Sequence, residues 1–306
     1  MTSDKPRMGV LYDEHALLHA RFSTSEEAGP RRVLSYDAEK GPAHAREGAL
    51  LADLTGCAYL LAHGPSAPDF ARAALAGRRL AVGEADFEAA LTGDGSLVSV
   101  PLAARCGDEE YVLLDPSPHG DVLDSWLGFL HGVEQDGFTP YANITIEDAT
   151  DMLVPLLLVG AAARSVLADY VRDPQALPAP GHVTSLQLDR IAALVTRLGA
   201  PAPDEVACYL ALVPVAFART LWRSLLSFGE VAPAGLQTVC ELSRRALPWG
   251  ELLSSPDRVS PSRRVLASWG LLRGEDDFVG ARGLGAQTPV PVRATDPGPR
   301  PEGGAS

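Results

Sequence analysis

Residues 44–66 read HAREGALLADLTGCAYLLAHGPS. Ala58–His63 is a short apolar run that stops at Gly64, Pro65 and Ser66, the pattern of a buried strand entering a turn. Ser66 or Asp69 is then placed to cap a helix over 67–76. Upstream, 15–22 and 40–51 read as short helical pieces around a polar connector. Downstream, 87–91 and 97–102 predict two strands joined across Thr92-Gly93-Asp94-Gly95, where glycine relieves the cost of a tight hairpin turn. Further strands are expected at 111–114, 144–146, 152–159 and 209–213. Helices are expected at 121–132, 161–171, 216–227 and 235–247. In the first of these helices, Val122, Trp126, Phe129 and Leu130 are expected to share one apolar face. Short strands and helices mix without regular βαβ alternation, so the fold class is α+β with mixed antiparallel sheets. From 287 to 306 the chain is rich in Pro and Gly and predicts a disordered tail.

Composition narrows the function. The 306 residues carry a formal net charge of −13, which opposes binding to nucleic acid or to anionic membrane. A local basic pocket for a small anion stays open. The stretch 152–163 is the most apolar in the chain, but it contains Pro155 and is shorter than the roughly 20 residues a membrane span needs. The N-terminus lacks the apolar segment of an export signal. Together these predict a cytoplasmic protein.

Four scattered cysteines, Cys57, Cys106, Cys208 and Cys240, form no C-x-x-C pair and predict free thiols rather than a metal site or redox dithiol. His15 and His19 are four residues apart, but near a polar terminus they read as a solvated helix face. No phosphate-binding glycine loop, nucleophile elbow or H-E-x-x-H motif is present.

Residues 44–66 resemble the "a-r-e-x-x-G-l-f-D-l-S" and "v-x-G-p-d-A" segments of the aminomethyltransferase (glycine-cleavage T-protein) family. Gly48, Asp53, Thr55, Gly64 and Pro65 fall in place. The resemblance continues in order through ITIEDATDMLVPLLLVGAAARSVL (144–167), YLALVPVAFARTLWRSLLSFGEVAPAGLQTV (209–239) and LPWGELL (247–253), ending at DFVGARGL (277–284). It implies a folate-binding body of two interleaved subdomains over 1–286. It also implies that the barrel domain which usually follows the last segment is missing.

The same resemblance supplies site expectations. The family's acid lies in "G-G-i-i-D-D-l"; here the hairpin reads GSLVSV (95–100), with Ser99 at the acidic position. A serine hydroxyl is no anion at neutral pH, which argues against standard glycine cleavage. The "v-N-a-a-N" segment corresponds to 115–119 and puts His119 at the second asparagine, where it could act as a general acid or base. Asp121 reads as a helix N-cap. Glu205 aligns by a small shift with the carboxylate that reads the pterin edge, while Trp269 and Phe87 offer stacking surfaces.

Ser99 and His119 are therefore the expected catalytic residues, with Glu205, Trp269 and Phe87 holding tetrahydrofolate or a one-carbon derivative. No metal ligand set is expected. The leading functional expectation is a divergent folate-transferase-like enzyme for a small molecule in specialised metabolism. A non-catalytic folate- or metabolite-binding protein is the alternative.

Overall fold

Alternation along two strands decides the layering. Every residue of Ala49–Asp53 is buried, yet Ala49 and Leu51 face one core while Leu50 and Ala52 face another. Leu153–Gly160 divides in the same way, with Leu156 and Leu158 opposed to Leu157 and Val159. A strand buried on both faces reads as a continuous apolar run because successive side chains point in opposite directions.

The computed structural model describes residues 8–24, 29–134, 136–199 and 206–286. Its larger sheet has six strands in the order His182–Leu188, Ile191–Arg197, Ala207–Pro214, Leu153–Gly160, Ala49–Asp53 and Val231–Pro233. All neighbours pair antiparallel except the last two, which are parallel. A second, fully antiparallel sheet runs Thr145–Asp148, Ala58–His63, Glu110–Asp115, Leu102–Gly107 and Ala85–Phe87. The chain leaves the larger sheet after Asp53, builds the whole second sheet, and returns at Leu153. Pro155 lies one residue outside the pairing with Ala49–Asp53, a sheet position where its missing N–H is tolerated.

The two sheets pack face to face. Leu50, Leu157 and Leu210 of the larger sheet meet Tyr59, Val112 and Leu114 of the smaller. Helices Ala163–Ala168 and Val215–Leu225 cover the far side of the larger sheet through Leu167 and Trp222. On the far side of the smaller sheet, helices Ala67–Ala74 and Gly120–His131 bury Phe70, Leu123 and Leu127. The helix Leu236–Ala246 closes one end of the inter-sheet core with Val239 and Leu242. This architecture is α+β, as the sequence predicts.

Several local expectations change. The 40–51 piece is a short 3₁₀ helix, Pro42–Arg46, followed by the strand Ala49–Asp53. Gly48 makes the bend between them: a Cβ there would lie 2.4 Å from the Glu230 carbonyl oxygen. The 15–22 piece divides into the helix Tyr12–Leu17 and the strand Ala20–Phe22, with His19 between them at φ 56°. Of the two hairpin strands, only Ala90–Leu91 and Leu97–Ser99 pair across the turn; Ala85–Phe87 and Leu102–Gly107 belong to the second sheet.

The helix at 120–131 turns a different face inward. Leu123, Leu127 and Leu130 are buried at i, i+4 and i+7, whereas Val122 is 50% and Phe129 63% exposed. Trp126 stacks on Phe129 at 5.4 Å. Ser66 and His119 occupy N-cap positions without a side-chain capping bond, and Asp121 lies inside the first turn, paired with Arg32 at 2.9 Å. His15 is not solvated: it is buried and bonded to Asp53 and Tyr36. The tail beyond 286 and Glu205 fall outside the described residues. Among the described residues no helix is long and apolar enough to cross a membrane.

Candidate functional site

The inter-sheet core is not filled at the end closed by Leu236–Ala246. Two cavities of about 350 Å³ each open there and share Phe87, Pro116, Ser243 and Leu247 as a common wall. One reaches into the inter-sheet core against Leu54, Leu157 and Leu210. The other runs under the turn after Glu110–Asp115, against Asp115, Ser117, Cys240 and Trp249. Helical spacing explains the shared wall, since Val239, Cys240 and Ser243 recur at i, i+1 and i+4 and present one stripe to the cavities. Arg46 and Arg245 border the inner cavity and Arg244 the outer one. Arg245 pairs with Glu241, and Arg244 with Glu251 at 3.5 Å.

Asp115 is the acid of this site. It ends its strand, is almost fully buried, and lines the outer cavity. One carboxyl oxygen accepts a hydrogen bond from the Ser99 hydroxyl; the other accepts the Ser117 N–H at 2.8 Å. Burial pushes the Asp115 carboxyl above the usual carboxylate range, against the hydrogen bonds from Ser99 and Ser117 and the nearby His119 ring. A carboxyl held this way can give or take a proton at a ligand atom facing it.

The expected catalytic pair takes up other positions. Ser99 is fully buried behind Asp115 and touches the cavity only through it. Both His119 ring nitrogens face carbonyl oxygens, Nδ1 that of Val98 at 2.8 Å and Nε2 that of Ser255 at 2.7 Å. A ring so engaged ties the hairpin to the segment after Trp249 and has no nitrogen left to face a substrate.

Phe87 lines both cavities as expected, and its ring meets Trp249 edge-on at 5.5 Å. Trp269 lines neither; it packs behind Trp249 at 6.5 Å. The sequence reading passed over Asp115, Trp249 and Cys240 as site residues. The available signal for Asp115 is an acid that follows directly on the apolar run 111–114. Burial raises the Cys240 thiol further above neutrality, with Asp115 adding to the effect and Arg32 opposing it.

Comparison of the sequence with protein-family models and with curated proteins finds no match. Among solved structures, the chain is similar to glycine cleavage system aminomethyltransferase T from Bartonella henselae. The two share 22% identity and a TM-score of 0.68, over 92% of this chain and 74% of that one. A weaker likeness, TM-score 0.41 at 15% identity, links it to heterotetrameric sarcosine oxidase from Corynebacterium sp. U-96, over 78% of this chain and 96% of that one. The fold is therefore aminomethyltransferase-like.

Proposed function

We propose that this chain is a divergent folate-transferase-like enzyme acting on a small molecule bound beneath Asp115. On this reading it transfers a tetrahydrofolate-borne one-carbon unit in specialised metabolism rather than performing standard glycine cleavage. Asp115 carries the reading: a buried carboxyl, fixed through both oxygens, stands at the wall of a largely apolar cavity. Buried carboxyls with raised pKa that face cavities are marks of acid–base sites. The hairpin acid of the resembling family is replaced by Ser99, whose hydroxyl instead positions a carboxyl from the strand Glu110–Asp115 of the second sheet.

The walls suit a flat, partly apolar ligand with an anionic tail. The joined cavities provide length, Phe87 and Trp249 aromatic surface, and Arg46, Arg244 and Arg245 charge for carboxylates. Tetrahydrofolate, when bound, supplies the one-carbon unit. Asp115 then moves a proton at the substrate atom it faces, the leucine walls exclude water, and Ser99 and His119 hold the acid's surroundings in place. Glu205 keeps the part the resemblance gives it, reading the pterin edge, and Trp269 supports Trp249 from behind.

The alternative, a protein that binds folate or a metabolite without turnover, is favoured by the loss of the family's hairpin acid at Ser99. Consumption of 5,10-methylene-tetrahydrofolate in the presence of a pool of small amines separates the two. The enzyme reading expects turnover that falls by about 10²–10⁴ in Asp115→Asn. Undiminished turnover in that variant removes Asp115 from the chemistry, and binding without turnover in the unaltered protein selects the alternative.

A further inference from the structure

A third cavity lies on the other side of the smaller sheet, between the helix Ala67–Ala74 and the strands around Arg105 and Tyr111. It measures about 210 Å³ and shares no lining residue with the pair beneath Asp115. Five arginines border it. Four already face carboxylates: Arg72 meets Asp69, Arg78 meets Glu84 and Asp86, and Arg79 and Arg273 meet Asp277. Arg105 differs. Its guanidinium bonds the carbonyl oxygens of Leu80, Gly107 and Asp108 and pairs with no carboxylate among the described residues, leaving two of its five N–H groups uncommitted.

Glu88 is the opposite case on the same cavity. It is 1% exposed, and neither carboxyl oxygen has a hydrogen-bond partner. The Gly77 amide lies close enough to favour its ionised form without making a full hydrogen bond. The approach is so tight that a Cβ on residue 77 would sit 2.0 Å from a Glu88 oxygen. Tyr111 lies between the two unmet groups, with Arg105 over its ring at 5.5 Å and the Glu88 charge acting on its hydroxyl. A buried carboxyl left without donors is costly unless a ligand or water meets it.

We propose that this cavity is a separate binding site for a small zwitterion of the α-amino-acid class, its carboxylate on Arg105 and its ammonium on Glu88. The other four arginines are balanced by the four acids Asp69, Glu84, Asp86 and Asp277, so an unmet cation and an unmet acid are what a ligand of both signs would complete. Size agrees: at about 30 Å³ per water the space equals roughly seven waters, enough for a small amino acid and too little for a folate. Burial pushes the Glu88 carboxyl up to about 8, Asp86 adding to the effect while Gly77, Arg273 and Arg78 oppose it. An ammonium ligand would draw off that proton, so its affinity rises from pH 6 to pH 8.

Calorimetric titration of the full chain at pH 8 with L-alanine, acetate and ethylamine tests the site without any folate present. L-alanine should bind one-to-one, and acetate and ethylamine about tenfold more weakly or worse. Glu88→Gln keeps the shape and removes the charge; it should weaken L-alanine about tenfold or more while the protein melts no lower. No heat with L-alanine, equal affinity for all three probes, or unchanged affinity in Glu88→Gln overturns the proposal. Tetrahydrofolate is titrated separately, so failure at one cavity is distinguishable from failure at the other.

Discussion

Replacing His15 by alanine should cost far more than its place in a six-residue N-terminal helix suggests. The ring joins three elements: Nδ1 meets the Tyr36 hydroxyl at 2.8 Å and Nε2 meets Asp53 at 2.9 Å. Its edge also packs on Trp222, with centroids 4.8 Å apart. The other Asp53 oxygen accepts both the N–H and the hydroxyl of Thr55, at 2.9 and 2.6 Å. His15→Ala leaves one Asp53 oxygen and the Tyr36 hydroxyl buried without partners. Leaving two buried polar atoms without partners costs about 1–3 kcal/mol each, and the lost ring contact adds up to about 1 kcal/mol. At a urea m-value of about 3 kcal/mol/M the midpoint should fall by about 1 M or more. Unfolding followed by tryptophan fluorescence measures this directly. Asp53→Ala removes the stranded acid, so the double variant should cost less than the sum of the two singles. A His15→Ala loss under about 1 kcal/mol, or strict additivity, would refute the network as a stabilising unit.

Glu88 gives stability a pH dependence of known sign. Its native pKa is raised from 4.5 to about 8, so between those values the folded protein holds a proton the unfolded chain has released. Stability from this group is complete below about pH 4.5 and is lost as pH rises through 8, by up to about 1.4 kcal/mol per unit. Denaturant melts of Glu88→Gln should show that slope flattened. Gly160→Ala should yield insoluble or unfolded protein, because φ is +154° and the new Cβ would lie 2.1 Å from the Gly48 carbonyl oxygen; a soluble protein with an unshifted melt would contradict the strand register there.

The larger elements were legible because periodicity marks them plainly. Ala58–His63, Leu153–Gly160, Ala207–Pro214 and the helices at 215–225 and 236–246 all carry unbroken apolar runs or stripes. The hairpin His182–Leu188 with Ile191–Arg197 was missed. Its outer strand alternates with exposed polar residues, and the chain turns at Asp189, at φ 55°, without the glycine that announces such a turn. The strand Ala49–Asp53 read as helix because alanine and leucine favour helices in isolation, while the surrounding sheet decides otherwise. The inward face of the 120–131 helix was misjudged for a different reason. Phe129 outranks leucine in size yet is exposed, while Leu123, Leu127 and Leu130 fill the core with Trp126 packed at its edge.

The site was partly legible. Phe87 is legible only through the family resemblance, and it lines both cavities. The Ser99–Asp115 bond joins positions 16 apart on strands in different sheets, and only the folded register brings them together. His119 looked reactive in the sequence because nothing there shows that two distant carbonyls, on Val98 and Ser255, occupy its nitrogens.

The central claim is that the cavity under Asp115 and Phe87 is a working small-molecule site on an aminomethyltransferase-like fold. Calorimetric titration of the purified chain with tetrahydrofolate tests it most directly. Saturable one-to-one binding, weakened about tenfold or more when Phe87→Ala removes the shared aromatic wall, is the predicted result. Absence of binding at high micromolar ligand, or equal binding in Phe87→Ala, would contradict it.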